Sequence, residues 1–280
     1  MAEFYQIQNK RSRLFNLNMT FLLIIANVVI FFLVLITESF YPKLNDYIAL
    51  TPNLIIHGQY LWTLVTSIFV HASFAHLFFN MVSLFFLGML VERIIGKKRF
   101  FWFFLIAGIF AGLFFALLSG FFGYGFGEKI FGSPLIPGVG ASGAIFGLVG
   151  ILTVLIPKKK VYLVAGPLIA IIIQAVLDSV FSTNPLIGVL DTIVSIYVII
   201  SIFSMLSPNP FFQKLSIPLG MPFWVFPIIS IIPLIIIGLF VTLPIGNTAH
   251  LGGFVLGIVY GFYLKKKYKN KTKYISNYFK

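Results

Sequence analysis

The sequence predicts an all-α polytopic membrane protein, a bundle of about eight transmembrane helices, and three observations carry that prediction. Of 280 residues, 59% are hydrophobic and only 10% are charged, with a mean hydropathy of +1.03. A soluble domain is nearer half apolar and a quarter charged. The apolar residues fall in continuous runs of about 17–22, the length an α-helix needs to cross the hydrocarbon core. The positive charge, finally, lies where membrane topology requires it.

The apolar runs lie at about 19–37, 72–92, 100–120, 141–156, 161–181, 187–206, 222–243 and 248–264. With a cytoplasmic N-terminus, the inner segments hold Lys10, Arg11 and Arg13, then Arg93, Lys97, Lys98 and Arg99. They also hold Lys158 to Lys160, Lys214, and seven lysines from Lys265 to Lys280; only Lys43 and Lys129 fall outside. That asymmetry is the positive-inside pattern. The net charge of +13 therefore reads as topology and attraction to anionic headgroups, not as a nucleic-acid interface. Eight spans make a multi-pass protein, expected in the cell membrane, with both termini cytoplasmic. The first run is long, lacks a flanking small-residue cleavage site and precedes a full bundle, so it reads as a retained helix and not a signal peptide.

Three parts follow from this pattern: a cytoplasmic lead over 1–18, a transmembrane domain over 19–264 and a basic cytoplasmic tail over 265–280, read as frayed. Residues 38–71 are the longest non-spanning stretch. They carry Tyr41, Tyr47, Leu54, Ile55, Ile56, Tyr60, Leu61 and Trp62, a composition suited to the membrane interface. Residues 121–140, glycine-rich with Pro134 and Pro137, read as a loop, and 207–221 breaks at Pro208, Pro210 and Pro218. The chain has no cysteine, which removes thiol catalysis, disulfides and thiolate metal sites together.

The fourth run opens on GVGASGAIFG (138–147), where Ser142 is the only side chain with a reactive atom. Small residues there let two backbones approach closely in lipid, or they clear room around a nucleophile. His250 opens the eighth run, and both helices run from outside to inside, so the two residues lie near the same surface. Gly253, Gly257 and Gly261 follow His250 on one face, and Gly143 and Gly147 repeat the four-residue spacing. If the seams face one another, Ser142 meets His250, and a neutral imidazole is suited to accept the hydroxyl proton. In HASFAHLFFN (71–80), His76 and Asn80 are one turn apart on one face, with His71 at the start of the helix. Together with the Ser142 N–H they read as convergent donors for an oxyanion. Isolated histidines, by contrast, are more often satisfied core residues. Phe146 lies one turn after Ser142, placed either to pack on the imidazole or in ordinary core packing. Asp178 and Asp191 sit near the outer ends of the fifth and sixth runs, where solvation at the interface explains them as well as an orienting role toward His250 does. There is no HExxH and no nearby acidic ligand, so no metal site and no organic cofactor are implied.

These residues resemble the rhomboid family of intramembrane serine proteases, over about 57–264 and through several motifs in the family's order. GQYLWTLVTSIFVHASFAHLFFN looks like the family's first loop and second helix, with HxxxxHxxxN at His71, His76 and Asn80. Gly88 and Glu92 fit GxxxE, GASG at 140–143 fits GxSG, and AHLGGFVLG at 249–257 fits HxxGxxxG. The resemblance implies a rhomboid-like bundle with Ser142 as nucleophile and His250 as general base, a dyad without an acid. It implies Asn80, His76 and the Ser142 N–H as oxyanion donors. Phe146 then stacks on the base and His71 supports, with Gly143, Gly253 and Gly257 in the packing seam. Two departures stand out. The family often has Trp-Arg where Trp62-Thr63 stands here. The family's core has six helices with one between the serine and histidine helices; here three spans intervene, so helices five and six read as inserted.

The expected activity is hydrolysis of peptide bonds in transmembrane protein substrates near the outer interface, with the lipid bilayer as solvent. Helical substrates must unwind locally before attack. Helix-breaking glycine or proline near the scissile bond is therefore favoured. Two rivals belong to other classes: a catalytically silent binder of membrane proteins on the same fold, and a transporter. A transporter is expected to show internal repeats and midplane charges, whereas the polar groups here cluster near one surface.

Overall fold

The computed structural model describes residues 18–181, 186–205, 207–239 and 246–278. All but the last residue of the predicted cytoplasmic lead, and the end of the seventh predicted span, lie outside the described residues. The chain is an all-α membrane bundle. Its helices are α1 (Met19–Phe40), α2 (Phe74–Ile95), α3 (Lys97–Phe122), α4 (Ser142–Leu155), α5 (Ala165–Phe181), α6 (Ile187–Met205), α7 (Phe226–Gly238), α8 (Asn247–Lys267) and α9 (Lys269–Tyr278). Among the described residues, α1, α2 and α3 are long and apolar enough to cross a membrane, while α4 to α7 are shorter apolar helices. Each of the eight predicted spans contains one helix.

Three local differences from the sequence reading have physical causes. Residues 160–164 are not helix: they form β1 (Lys160–Val164), which pairs antiparallel with β2 (Pro218–Pro222), Lys160 opposite Pro222 and Val164 opposite Pro218. KVYLV is rich in β-branched and aromatic residues, yet it runs into the next apolar helix without a polar break, so hydropathy merges the two. Both strands of a two-stranded ribbon are edges, where proline is tolerated. The loop at 121–140 contains two short helical turns, Gly125–Gly127 and Glu128–Phe131. The basic tail is not frayed, because α8 continues to Lys267 and α9 follows.

The described residues form two compact units. The first comprises 18–155 with 246–275, and the second 156–239 with 276–278. In the first, α4 is the central helix: Leu148, Ile151 and Leu152 are wholly buried. Gly96, at φ +85°, makes the sharp turn between α2 and α3, a conformation that favours glycine. The α1 N-terminus is held by a buried carboxylate. Glu92 accepts from the Met19 N–H (2.8 Å), the Thr20 N–H (2.9 Å) and the Thr20 hydroxyl (2.7 Å). Those donors have no intrahelical acceptor, and the helix dipole favours an anion there.

The interfacial stretch 38–71 is a chain of short helices (Leu44–Ile48, Pro52–Ile56 and Thr63–Thr66). Tyr41, Tyr47, Leu61 and Trp62 remain exposed, as an interfacial loop requires. Thr63, in the position where the family often has arginine, is buried and donates to the Tyr60 carbonyl at 2.8 Å. Trp62 Nε1 donates to the Tyr47 carbonyl at 2.8 Å, and the rings of Tyr47, Tyr60 and Trp62 pack edge to face. Aromatic packing and backbone hydrogen bonds thus anchor this loop.

In the second unit, Gln174 Nε2 of α5 donates to Asp191 Oδ1 of α6 at 2.8 Å. Tyr197 donates to the Leu215 carbonyl at 2.9 Å, fixing the segment before β2 against α6.

Candidate active site

The site is built where α4 and α8 begin. The loop before α4 is pinned by backbone bonds: Gly138 exchanges two with Leu50, and the Gly140 N–H donates to the Ser67 carbonyl at 2.8 Å. Ser142 is the first residue of α4, so its N–H is among those with no intrahelical acceptor and carries the positive end of the helix dipole. On α8, His250 lies one turn from the N-terminus, with Thr248 tied to the Phe131 carbonyl at 3.2 Å.

His250 Nε2 lies 2.9 Å from Ser142 Oγ. The Phe146 ring stacks on the imidazole, centroids 4.4 Å apart and planes 20° from parallel. With one face covered and Nε2 on the hydroxyl, the imidazole has a fixed orientation. Both Ser142 and His250 are partly exposed, whereas Asn80 and His71 are buried.

His76 and Asn80 reach the same loop from α2. A side chain at Gly140 would place its Cβ 2.7 Å from His76 Nε2 and 3.7 Å from Asn80 Nδ2. Gly140 is also at φ +117°, so glycine is required twice over, for conformation and for space. Asn80 Nδ2 donates one proton to the His76 carbonyl at 2.9 Å and keeps a second. His71 sets its ring edge-on to His76 at 5.1 Å, with Nδ1 3.3 Å from the Phe69 carbonyl and a buried, unpartnered Nε2. The α2 backbone widens into a π-helical turn at Leu84–Gly88, one turn beyond Asn80. Such turns are frequent at functional sites.

The glycine seam has a more specific geometry than the sequence reading supposed. Added side chains at Gly253 and Gly257 would strike the carbonyl oxygens of Gly143 and Gly147, and one at Gly261 would meet Val154 Cβ at 2.9 Å. On α4, however, Gly143 and Gly147 turn their own Cα hydrogens toward α3, where a Cβ would lie 2.6 Å from Ala111 and 2.8 Å from Ala107. The α4 glycine whose Cβ direction meets α8 is Gly150, 2.8 Å from the Gly257 Cα. Sequence spacing identified the seam and missed Gly140 and Gly150. Gly140 stands in the sequence as the first residue of the GxSG match at 140–143, without the reason its geometry supplies.

Asp191 accepts from Gln174, and the Asp178 side chain lies outside the described residues. His57 holds the Asn53 carbonyl at 2.7 Å in the interfacial loop. Among the described residues no group of three His, Cys, Asp or Glu side chains could hold a metal ion.

Fold and site together define a polytopic membrane protein with a serine and a histidine juxtaposed at the heads of two glycine-packed helices. The family model for the Rhomboid domain matches residues 58–173 and 160–267, which together span well over half the chain. The chain belongs to the rhomboid family. The matches overlap at 160–173, between the serine and histidine helices, where the sequence reading puts the extra helices. Rhomboid protease GluP of Bacillus subtilis (strain 168) is 35% identical over 147 residues, which is 51% of this chain and 26% of that protein. RHOMBOID-like protein 5 of Arabidopsis thaliana is 34% identical over 122 residues, 43% of this chain and 35% of that protein. RHOMBOID-like protein 1 of the same plant is 37% identical over 102 residues, 36% of this chain and 23% of that protein. The chain thus spans well under half the length of these relatives.

Proposed function

We propose that this chain is an intramembrane serine protease that hydrolyses peptide bonds in the transmembrane segments of other proteins. Family membership and the printed name of GluP, a rhomboid protease, support the class. The 2.9 Å contact between His250 Nε2 and Ser142 Oγ carries the reading.

Ser142 Oγ attacks the scissile carbonyl while His250 Nε2 takes its proton; the imidazolium then gives that proton to the leaving amine. A water, deprotonated by the same nitrogen, releases the acyl group. Positioned proton transfer of this kind is worth roughly 10²–10⁴-fold. The oxyanion forms beside the Ser142 N–H, with the second amide proton of Asn80 and the His76 ring as further donors, each worth about 3 kcal/mol in such a role. Phe146 keeps the imidazole aligned through both proton transfers. His71 supports His76 from behind. Gly253 and Gly257 let α8 approach the Gly143 and Gly147 carbonyls and so hold the two helix heads at bonding distance, while Gly143 lets α4 close on Ala111 of α3. The distribution of basic residues supports cytoplasmic termini, a cell-membrane location and cleavage near the outer interface.

The test pairs purified wild type with Ser142→Ala in liposomes, using a single-span reporter with a helix-breaking segment. Wild type should cleave, and the variant should fall by about three orders of magnitude or more. Cleavage by both would transfer the activity to another nucleophile or a contaminant. Absence of cleavage together with absence of Ser142-dependent fluorophosphonate labelling would replace this reading with a membrane-protein binder.

A further inference from the structure

The mechanism leaves the opposite end of the first unit unused. There, α9 folds back against the ends of α2, α3, α4 and α8 and roofs a cleft of about 90 Å³. Thr272 and Ile275 of α9 line the cleft with Tyr268, which caps α8, and Thr272 is buried. The Thr272 hydroxyl is bonded to the Tyr268 and Lys269 carbonyls, so it turns its methyl group to the cleft. Ile95, Leu155 and Leu264 make the floor. Arg99 and Lys271 stand at the mouth.

Two features of this cleft suit an amphipathic anion. Its lining contains two cations and no acidic side chain. A third cation is close by, because Arg99 sits 5.0 Å over the Tyr268 ring and Lys267 lies 5.9 Å from the same ring. Cation–π contact holds these groups but does not cancel their mutual repulsion. The second feature is the apolar floor directly behind the charged mouth. A free inorganic anion satisfies the mouth and leaves the floor unused. An ion with an attached hydrocarbon satisfies both.

We propose that this cleft binds one anionic phospholipid, its phosphate paired with Arg99 and Lys271 and the start of an acyl chain on the Ile95, Leu155 and Leu264 floor. Arginine is suited to bidentate phosphate recognition, and lysine acts as a point charge beside it. The lipid fastens α9 to the bundle by neutralising the cations that meet there. The site is independent of the Ser142 chemistry, and its test reads binding and not cleavage.

The experiment is native mass spectrometry of the full chain released from detergent micelles, titrated with phosphatidylglycerol or phosphatidylcholine. Wild type should retain one phosphatidylglycerol in preference to phosphatidylcholine. Arg99→Ala with Lys271→Ala should weaken that binding by about tenfold or more, since each basic group near an anionic surface matters several-fold. Lys265→Ala with Lys273→Ala removes the same charge outside the cleft and should change it less than about threefold. Equal losses in the two double variants would overturn the site in favour of diffuse attraction. Displacement of the lipid by millimolar glycerol 3-phosphate would overturn the lipid assignment in favour of a soluble phosphate. If the cleft double variant does not fold, Lys271→Ala alone, at an exposed position, serves instead; binding unchanged from wild type would also overturn the site.

Discussion

The two compact units use the same residue types to different ends. In the first, α4 and α8 approach so closely that glycine is the only residue the contact admits, and the polar side chains of α2, α4 and α8 gather at one end. In the second, α5 and α6 are held by a side-chain hydrogen bond between Gln174 and Asp191, and Gly188 of α6 has no neighbour within 4 Å of where a Cβ would stand. The difference shows that a small residue in a membrane helix has no fixed meaning. Its role is set by whether a neighbouring backbone stands where its side chain would be. The first unit gains backbone proximity, and with it a serine and a histidine at bonding distance. The second pairs α5 with α6 through the Gln174–Asp191 hydrogen bond, and Gly166 of α5 sits close to the Tyr197 hydroxyl and the Ser216 carbonyl.

Gly253→Ala should break the comparison most severely. The new methyl group points into the carbonyl oxygen of Gly143, one residue after Ser142. Backbone cannot yield as a side-chain tip can, so the helices must separate. We expect a loss of about 3 kcal/mol in unfolding free energy, the upper end of overpacking costs. Activity should fall about 10²-fold even where the fold survives, since a misplacement near 1 Å has that effect. Unfolding in bicelles and reporter cleavage measure the two. A variant with wild-type stability would mean that the seam is softer than its geometry.

Glu92→Ala comes next. It leaves the Met19 N–H, the Thr20 N–H and the Thr20 hydroxyl without their acceptor, in a place where Thr20 is wholly buried. Stranded buried donors and a lost helix cap together should cost about 2 kcal/mol or more. Hydrogen exchange should rise in the first turn of α1 and stay unchanged around Ser142. Exchange rising equally at both places would show that α1 and the serine helix open as one unit.

Much of this was legible beforehand, for identifiable reasons. Continuous apolar runs and the placement of lysine and arginine report on the bilayer, which acts on every residue alike, so each predicted run could be matched to an apolar helix among the described residues. The candidate residues Ser142, His76, Asn80 and His250 could be singled out because polar groups in such runs are expensive and few. What escaped depends on particular neighbours. KVYLV forms a strand because PLGMP returns beside it 58 residues later, and no local property of either segment says so. The tail orders as α9 because Tyr268, Thr272 and Ile275 find a surface to cover; ten residues alone are too short to hold a helix in water. Gly150 and Gly143 share a composition and a helix, yet face different partners.

Gln174→Leu should have a smaller effect than either substitution in the first unit. It removes the donor and leaves the Asp191 carboxyl in a mostly apolar helix pair. Interhelical hydrogen bonds in membranes are worth about 0.6 kcal/mol on average, so a loss of about 1 kcal/mol is expected. Adding Asp191→Leu should return most of it. A double-mutant cycle reads the coupling directly, and a value above about 2 kcal/mol would mean that this pair anchors the unit as firmly as the glycines anchor the other.

Gly188→Ala is the smallest effect and the sharpest control. The residue lies in the first turn of α6, exposed, with open space where the methyl group would go. Alanine fits a helix better than glycine because it loses less backbone freedom, and here nothing opposes that gain. Stability should change by less than about 0.5 kcal/mol, or rise slightly, and reporter cleavage should stay at the wild-type level. Gly253→Ala makes the same chemical change, one methyl group on a helical glycine, in the same membrane. Any large effect at one position and none at the other must then come from the neighbouring backbone. If Gly188→Ala proved as damaging as Gly253→Ala, α6 would have a close partner at Gly188, and the contrast between the α4–α8 seam and this open face of α6 would fail.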